Sequence, residues 1–162
     1  NCHAGGKWQL QGLNMQAFWP LPDASEDWSD NDGSCVIRVT DGRYSVLLPG
    51  DIEQKAEQVL LSLPEVSQGL TSNIILAPHH GSRSSSSFAF IRRVAPDWVV
   101  YSAAYHSPYG HPHPLVVQRY EELGSDAIYT GHSGAVGFIL GRSGPISPEW
   151  RWREAARRFW HQ

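Results

Sequence analysis

Three short apolar runs in this sequence are each followed by polar residues and then by a helix-like segment. The runs are residues 46–50 (VLLPG), 74–78 (IILAP) and 98–104 (WVVYSAA). Residues 52–63 place apolar side chains along one helical face, and residues 114–124 begin with proline and end with glycine, as helices commonly do. Apolar strands that alternate with helices predict a layered α/β (α+β) fold.

Two hairpins are predicted before these runs. Residues 8–10 and 13–18 alternate apolar and polar side chains around Gly12. Residues 35–48 contain two β-branched runs joined by Asp41-Gly42, a dipeptide that tolerates the positive φ of a tight turn. The strands of both hairpins extend the predicted sheet.

The end of the chain differs in composition from the rest. Residues 148–162 (PEWRWREAARRFWHQ) are predicted to form an aromatic, arginine-rich helix that follows a unit of residues 1–147. Such a helix most often packs its aromatic side chains on the protein body, here Trp150 and Trp160, with its arginines facing outward. The alternative is that the arginines contact a DNA backbone.

The composition excludes several classes of protein. With 162 residues, 41% of them hydrophobic and 18% charged, the chain suffices for one domain with its own core. A net charge of -3 argues against a strongly basic nucleic-acid-binding protein. No apolar run approaches the ~18–20 residues of a membrane span, and no signal peptide opens the chain. Because the chain starts at Asn1, we expect a soluble fragment of a longer protein.

The two cysteines, Cys2 and Cys35, do not form a CxxC motif, which disfavours a zinc ribbon or a thioredoxin-like site. Two interpretations stay open for them. They form a disulfide in an oxidising compartment, or they are two unrelated buried thiols.

Metal-binding residue types follow all three apolar runs. Asp51 follows the first, His79 and His80 the second, and His111 and His113 the third. Ligands of open α/β sheets bind at the carboxyl ends of the strands, so these residues are expected to share one cavity. Imidazole and carboxylate suit Zn²⁺ or Mn²⁺, and a pair of such ions activates water for attack on phosphate.

Each of these residues also has a simpler interpretation. Asp51 alone is more often a helix N-cap than a ligand, and His111 and His113 are also placed to begin a helix. One aspartate and one or two histidines are too few for two ions.

A serine-rich segment follows the histidine pair. Ser82, Ser84 and Ser85, with the two serines after them, form either a flexible linker or a phosphate-binding helix start, where hydroxyls and backbone N–H groups meet phosphate oxygens. We favour the phosphate interpretation.

Several motifs, in their order and spacing, resemble one known family. The segments LLPGDIE, PHHGSRSSSSFAF, YGHPHPLVVQRY and GAVGF look like the C-terminal metallo-β-lactamase-like domain of ComEC-type DNA-internalisation proteins. The opening CHAGGKWQLQGLNMQAFWP, NDGSCVIRV and the tail rich in Trp and Arg are similar as well. The resemblance covers nearly the whole chain.

This resemblance implies an αββα sandwich with a metal site at one edge. It implies a bacterial inner-membrane channel protein that carries one DNA strand inward, with this domain on the periplasmic or extracellular side degrading the other strand. Asp51 matches the bridging aspartate, His79 or His80 matches a late histidine ligand, and His111 would contact phosphate or a proton in transit. The periplasm favours a Cys2–Cys35 disulfide.

The chain departs from the family pattern in two respects. The early His-x-(His or Asp)-x-Asp-His ligand cluster is absent, so the resemblance implies only the second half of the domain. The intact domain would hold two ions, whereas this fragment would bind metal weakly or not at all and be inactive by itself. An apolar face or a sheet edge would then be exposed and favour dimerisation or domain swapping. Ser107 replaces an expected Asn, and His132 an expected acid.

Three functions follow as alternatives. The favoured one is a metal-dependent DNA phosphodiesterase in which Asp51, His80 and His111 are catalytic and Ser82, Ser84, Ser85 and His113 position phosphate. Its partners would be single-stranded DNA and the rest of the channel chain. The others are a metal-free module that guides DNA or docks a partner, and a metallo-hydrolase of small phosphoesters, because fold alone does not set the substrate.

Overall fold

A mixed β-sheet organises the chain in the computed structural model, which describes residues 2–22, 28–139 and 146–156. The main sheet contains β1 (Lys7–Leu10), β2 (Leu13–Trp19), β3 (Val36–Thr40), β4 (Ser45–Leu48), β5 (Ile74–Leu76), β6 (Trp98–Tyr101) and β7 (Asp126–Tyr129). A smaller sheet pairs β8 (Val136–Phe138) with β9 (Pro148–Arg151). The helices are α1 (Gln54–Ser62), α2 (Pro64–Gly69), α3 (Phe88–Val94), α4 (Pro114–Glu122), α5 (Thr130–Ser133) and α6 (Trp152–Ala155).

The order of the seven strands in the sheet follows their order in the chain. Strands β1 to β4 are antiparallel and contain the two predicted hairpins. Strands β4 to β7 are parallel, so each connection needs a crossover, and helices supply it. Val46 pairs with Ile74, and Ile74 with Trp98, so the carboxyl ends of β4, β5 and β6 lie side by side.

The helix predicted over residues 52–63 ends before Pro64, as expected, and a second helix begins at that proline. Leu63 takes an extended conformation, as the residue before a proline tends to do, and α1 therefore ends at Ser62. Pro64 then begins α2, where its missing N–H has no intrahelical partner to lose. The apolar periodicity located the helix correctly but did not show that a second one follows at once.

The main core lies between the helices and one face of the sheet. Alternate residues of the strands, among them Leu47, Ile75 and Val99, are fully buried there. The helices contribute their apolar stripes, including Leu60 of α1 and Tyr120 of α4. Each fully buried side chain of this size stabilises the fold by ~1.5–3 kcal/mol relative to exposure, so this face carries most of the stability.

The opposite face of the sheet is also apolar but only partly covered. Over the parallel strands, Val136 and Phe138 of the small sheet pack against Ile74, Val100 and Ile128. Over β1 to β4, seven apolar residues of this face stay exposed or half-buried: Trp8, Leu10, Leu13, Met15, Ile37, Val39 and Leu48. Leu10 is 60% exposed and Trp8 42%. We call these seven residues the open apolar face.

The prediction of a helix from residue 148 is wrong for its first part. Pro148–Arg151 form β9, which pairs with β8, and helix α6 spans only Trp152–Ala155. The strand forms because β8 offers free backbone groups and because the indole of Trp150 fits over Gly137, which has no Cβ. Trp150 is nevertheless 45% exposed, so the expectation that it is buried is wrong. Trp160 lies outside the described residues.

A helix must be long and apolar to cross a membrane. Within the described parts of the chain, every helix is too short or too polar to cross a bilayer.

The two cysteines lie together in the fold. Their sulfur atoms are at bonding distance, as in a disulfide, and the Cα atoms of Cys2 and Cys35 are 6.2 Å apart. The bond would connect the segment before β1 to the start of β3, across 33 residues of sequence. The interpretation as two unrelated thiols does not fit this geometry.

We predict that the unreduced protein has no titratable thiol at Cys2 or Cys35. Closing a loop of this length restricts the unfolded chain, so the double variant Cys2→Ser, Cys35→Ser should lose ~3–4 kcal/mol of unfolding free energy. Ellman titration and urea unfolding measure the two effects. The double variant serves as control, because added reductant should destabilise only the wild type, and two free thiols in the unreduced protein would contradict the bond.

Candidate functional site

Three loops meet at the carboxyl edge of the parallel strands. Asp51 follows β4, a turn over Pro78–Gly81 follows β5, and residues 102–113 follow β6. Backbone hydrogen bonds tie the loops together: the N–H of His79 donates to the carbonyl of Gly50 (3.1 Å) and the N–H of His113 to that of Gly81 (2.9 Å). The pairing of β4, β5 and β6 therefore holds all three predicted clusters in one place.

Four of the predicted site residues lie close to one another. The Nε2 atom of His80 is 3.8 Å from Oδ1 of Asp51. The ring of His79 is 6.4 Å from that of His80 and 5.8 Å from that of His111, measured between centroids. The side chains of Asp51 and His80 are 42% and 49% exposed, so a ligand can reach both.

The turn after β5 has an unusual backbone. His79 and His80 both adopt left-handed φ angles, 48° and 57°, and Gly81 follows at 83°. Non-glycine residues adopt such angles rarely and at a cost of ~1–3 kcal/mol each, most often at functional sites. In an extended strand two adjacent imidazoles would point to opposite faces. The left-handed turn instead directs His80 towards Asp51 and His79 towards Glu53.

Asp51 does not cap the helix that follows it. Asp32 does so instead, since its Oδ1 accepts hydrogen bonds from the backbone N–H groups of Glu53 (2.8 Å) and Ala56 (3.4 Å). Asp32 is buried and is 21 residues before Glu53 in sequence, so local sequence does not reveal this cap. The N-cap interpretation of Asp51 is wrong, and its carboxylate is left for another role.

Glu53 is a site residue that the sequence interpretation missed. Its Oε1 atom is 3.1 Å from Nδ1 of His79 and accepts a hydrogen bond from the hydroxyl of Ser84 at 2.8 Å. The available signal was its spacing, because Glu53 lies two residues after Asp51 at the start of α1.

His111 lies in a partly desolvated position. Its Nδ1 atom is buried and has no hydrogen-bond partner among the described residues, and its ring stacks with that of Tyr109 at 6.1 Å. Burial lowers the pKa of the His111 imidazole, and the nearby His79 and His80 shift that pKa the same way. His111 is therefore held in the neutral form, which accepts a proton or binds a metal.

The serine segment is ordered by hydrogen bonds to Glu57 and Arg119 and is not a flexible linker. The carboxylate of Glu57 is buried and accepts hydrogen bonds from the backbone N–H groups of Ser86 (2.5 Å) and Ser87 (2.8 Å). The guanidinium of Arg119 donates to the carbonyls of Ser85 and Ser86. Burial raises the pKa of Glu57, and the hydrogen bonds from Ser87 and Ser86 act against that shift.

Only part of this segment can contact a ligand. Ser82 and Ser84 are half-buried, and their hydroxyls are 3.0 Å apart. Ser85 is fully buried, and its hydroxyl donates to the carbonyls of Pro78 (2.7 Å) and Ser82 (3.0 Å). The predicted substrate-binding role of Ser85 is therefore wrong, because its hydroxyl is used inside the loop.

The remaining predicted residues have structural roles or lie nearby. Nδ1 of His113 accepts a hydrogen bond from the N–H of Leu115 and caps α4, as the alternative interpretation had it. The ring of His132 contacts those of Tyr105 and Tyr129 at 5.4 and 6.0 Å, and Ser107 is half-buried in the loop after β6.

The donor set of the site fits part of a metal site. Two ligands of a tetrahedral zinc ion, each ~2.0–2.2 Å from the metal, lie ~3.3–3.6 Å apart, and the 3.8 Å between Asp51 and His80 is slightly longer than that separation. In residues 2–22, 28–139 and 146–156, however, no three His, Cys, Asp or Glu side chains form a group that could hold an ion. The described residues thus supply an incomplete coordination sphere.

Three longer proteins contain segments that match this chain. It is 40% identical over 133 residues to Uncharacterized protein YcaI of Escherichia coli (strain K12), 36% over 138 residues to Competence protein ComA of Neisseria gonorrhoeae, and 36% over 136 residues to Recombination protein 2 of Haemophilus influenzae. The matches cover 82%, 85% and 83% of this chain but 17%, 19% and 16% of those proteins. The chain therefore spans less than a fifth of the length of these relatives. No protein-family model matches the chain.

A solved structure shares the fold. CmlA beta-hydroxylase, solved as its E377D mutant, superposes with a TM-score of 0.56 at 13% identity, over 79% of this chain and 31% of that one. CmlA has a metallo-β-lactamase fold, and the likeness shows that this chain has a related mixed α/β architecture dominated by sheets.

We predict that Gly81→Ala destabilises the protein more than Gly124→Ala. The two glycines have nearly equal φ angles, 83° and 82°, so alanine incurs the same backbone strain at both. A Cβ at Gly81 would lie 2.7 Å from Cβ of Pro112 and 3.0 Å from the ring of Tyr101, whereas nothing lies within 4 Å at Gly124. The clash should add ~1–3 kcal/mol to the loss of unfolding free energy. Urea unfolding measures both variants, and equal losses would show that the site loops do not pack as described.

Proposed function

This chain is homologous to a segment of the ComEC-type competence proteins, and from that homology we propose that it forms half of a metal-dependent phosphodiesterase domain in a bacterial DNA-uptake channel. Two of its relatives are named for competence and for recombination, and both names point to DNA as the substrate. The domain would act on the DNA strand that is not transported, on the periplasmic or extracellular side of the inner membrane.

The observation that carries this proposal is the position of Asp51 beside His80, at 3.8 Å, on the edge where three strand ends meet. These two side chains would hold a divalent ion such as Zn²⁺ or Mn²⁺, with the ring of His79 beside them. When bound, such an ion lowers the pKa of water and stabilises the charge that develops on a phosphodiester.

Other side chains of the cluster would position the substrate. The hydroxyls of Ser82 and Ser84 are suited to donate hydrogen bonds to phosphate oxygens. His111, which is held neutral by burial, would accept a proton at a ring nitrogen or bind phosphate after protonation. His113 would contribute only its Nε2 atom, since its Nδ1 caps α4.

The open apolar face supports the proposal that this is the second half of an αββα sandwich. Seven apolar residues on β1 to β4 are exposed or half-buried on that face, which is the arrangement expected when a second sheet normally covers it. The residues that precede this segment in the longer relatives would supply that sheet and the remaining metal ligands, two ions in all. Without them, a second copy of the chain would be the other means of covering the face.

If this chain is half of a sandwich, one substitution should change the unfolding free energy differently in the chain alone and in the chain joined to the preceding segment. Leu10→Asp should change the unfolding free energy of this chain alone by less than ~0.5 kcal/mol, because Leu10 is 60% exposed. In the chain joined to the preceding segment, the same change buries an unpaired charge and should cost several-fold more, ~2–4 kcal/mol. Gln9→Asp is the matched control, since Gln9 lies next in the same strand and faces the other way. Equal effects of Leu10→Asp in both contexts would refute the covering sheet.

We predict that Asp51→Ala, in the protein that includes the preceding segment, lowers Mn²⁺- or Zn²⁺-dependent cleavage of single-stranded DNA by more than ~100-fold. Loss of an outer-shell partner alone costs ~10–100-fold, and a ligand should matter more. Asp126→Ala is the control, because Asp126 is exposed at the start of β7, at the opposite end of the parallel strands.

The same assay separates the alternatives. Cleavage that persists in Asp51→Ala would remove Asp51 from the mechanism. DNA binding without cleavage or bound metal would identify a binding module, and hydrolysis of a nitrophenyl phosphodiester but not of DNA would identify an enzyme of small phosphoesters.

A further inference from the structure

Glu53 is the most heavily hydrogen-bonded acid at the site. Its Oε1 atom lies 3.1 Å from Nδ1 of His79, 2.8 Å from the hydroxyl of Ser84 and 3.5 Å from the amide nitrogen of Asn31. The side chain of Glu53 is 29% exposed. The ligand candidate Asp51, by contrast, has its one polar side-chain contact within residues 2–22, 28–139 and 146–156 with His80, at the longer distance of 3.8 Å.

The backbone of Glu53 is fixed as well as its carboxylate. Its N–H donates to the buried Asp32 at 2.8 Å, and the next residue, Gln54, donates its N–H to the carbonyl of Ser84 at 2.9 Å. The glutamate therefore sits between the loop before α1 and the serine segment. Because hydrogen bonds hold both its backbone and its carboxylate, Glu53 keeps its Oε1 atom in a fixed direction.

The nitrogen of His79 that faces Oε1 of Glu53 has to be a hydrogen-bond donor. An ionised carboxylate only accepts hydrogen bonds, so Nδ1 of His79 must carry the proton. In the neutral imidazole the lone pair then lies on Nε2, although free imidazole side chains favour the opposite tautomer. The same hydrogen bond fixes the rotation of the ring, and His79 also has a constrained backbone, with a φ of 48°.

We propose that Glu53 is a positioning residue that holds His79 as its Nδ1–H tautomer and presents Nε2 to the cluster of Asp51, His80 and His111. Histidines that bind metals usually donate their second ring N–H to a carboxylate or a carbonyl in this way. With Nδ1 engaged by Glu53, Nε2 is the ring nitrogen that His79 has left for a ligand. Metal binding at that nitrogen rests on the proposed function, whereas the tautomer does not.

The tautomer is measurable without any metal or activity. Long-range ¹H–¹⁵N correlation spectra of the ¹⁵N-labelled chain at neutral pH distinguish a protonated Nδ1 from a protonated Nε2, and His79→Gln assigns the signals. The wild type should show Nδ1–H at His79. Glu53→Ala should shift the tautomer ratio towards Nε2–H by about tenfold or more, the change expected from losing a hydrogen bond to a charged group.

Two further variants separate positioning from a general loss of structure. Glu53→Gln retains shape and an acceptor oxygen but not the charge, so its tautomer ratio should lie between those of the wild type and Glu53→Ala. Glu65→Ala removes an exposed glutamate from α2 and should leave the spectrum of His79 unchanged. Nε2–H at His79 in the wild type, or a ratio unchanged in Glu53→Ala, would overturn the proposal.

A Zn²⁺ titration of the protein that includes the preceding segment, which would supply the remaining ligands, tests the ligand role separately. Zn²⁺ should shift Nε2 of His79 in the wild type, and the apparent Kd should weaken by ~10–100-fold in Glu53→Ala. If the tautomer is as expected but Zn²⁺ shifts neither His79 nor His80, the positioning by Glu53 stands and the metal part of the proposed function fails.

Discussion

The parallel pairing of β4, β5 and β6 is the constraint on which the site depends. Parallel strands end at the same edge, so the residues that follow them are neighbours even though Asp51 and His111 are far apart in sequence. The backbone bonds from His79 to Gly50 and from His113 to Gly81 then tie the three loops to one another. A change that shifts the end of one of these strands would also move the candidate ligand residues that follow it.

Four acidic residues lie around the start of α1. Two of them have structural roles, and the other two belong to the candidate site. Asp32 and Glu57 are buried, and both accept hydrogen bonds from backbone N–H groups. Asp32 thereby orders the loop before α1, and Glu57 orders the serine segment. Asp51 and Glu53 are partly exposed and face imidazoles. Buried carboxylates need several donors to offset the loss of hydration, which is why the structural pair has backbone partners and the site pair has histidines.

The two faces of the sheet differ in how much of their apolar surface other elements cover. The helices bury the apolar residues of one face, but the small sheet covers the other face only over the parallel strands, and the open apolar face of β1 to β4 is left to solvent. The chain corresponds to less than a fifth of the length of its relatives YcaI, ComA and Recombination protein 2.

The sequence by itself determined three strands of the parallel sheet, two of the helices that follow them, both hairpins and the polar clusters at the three strand ends, because side-chain periodicity and turn residues are local signals. It did not determine which serine hydroxyls stay accessible, that Asp32 caps α1, or that Glu53 meets His79. The tertiary structure decided these contacts, since each joins residues from different elements, 21 positions apart for Asp32 and Glu53 and 26 for Glu53 and His79. The same holds for β9, where local composition predicted a helix and pairing with β8 made a strand.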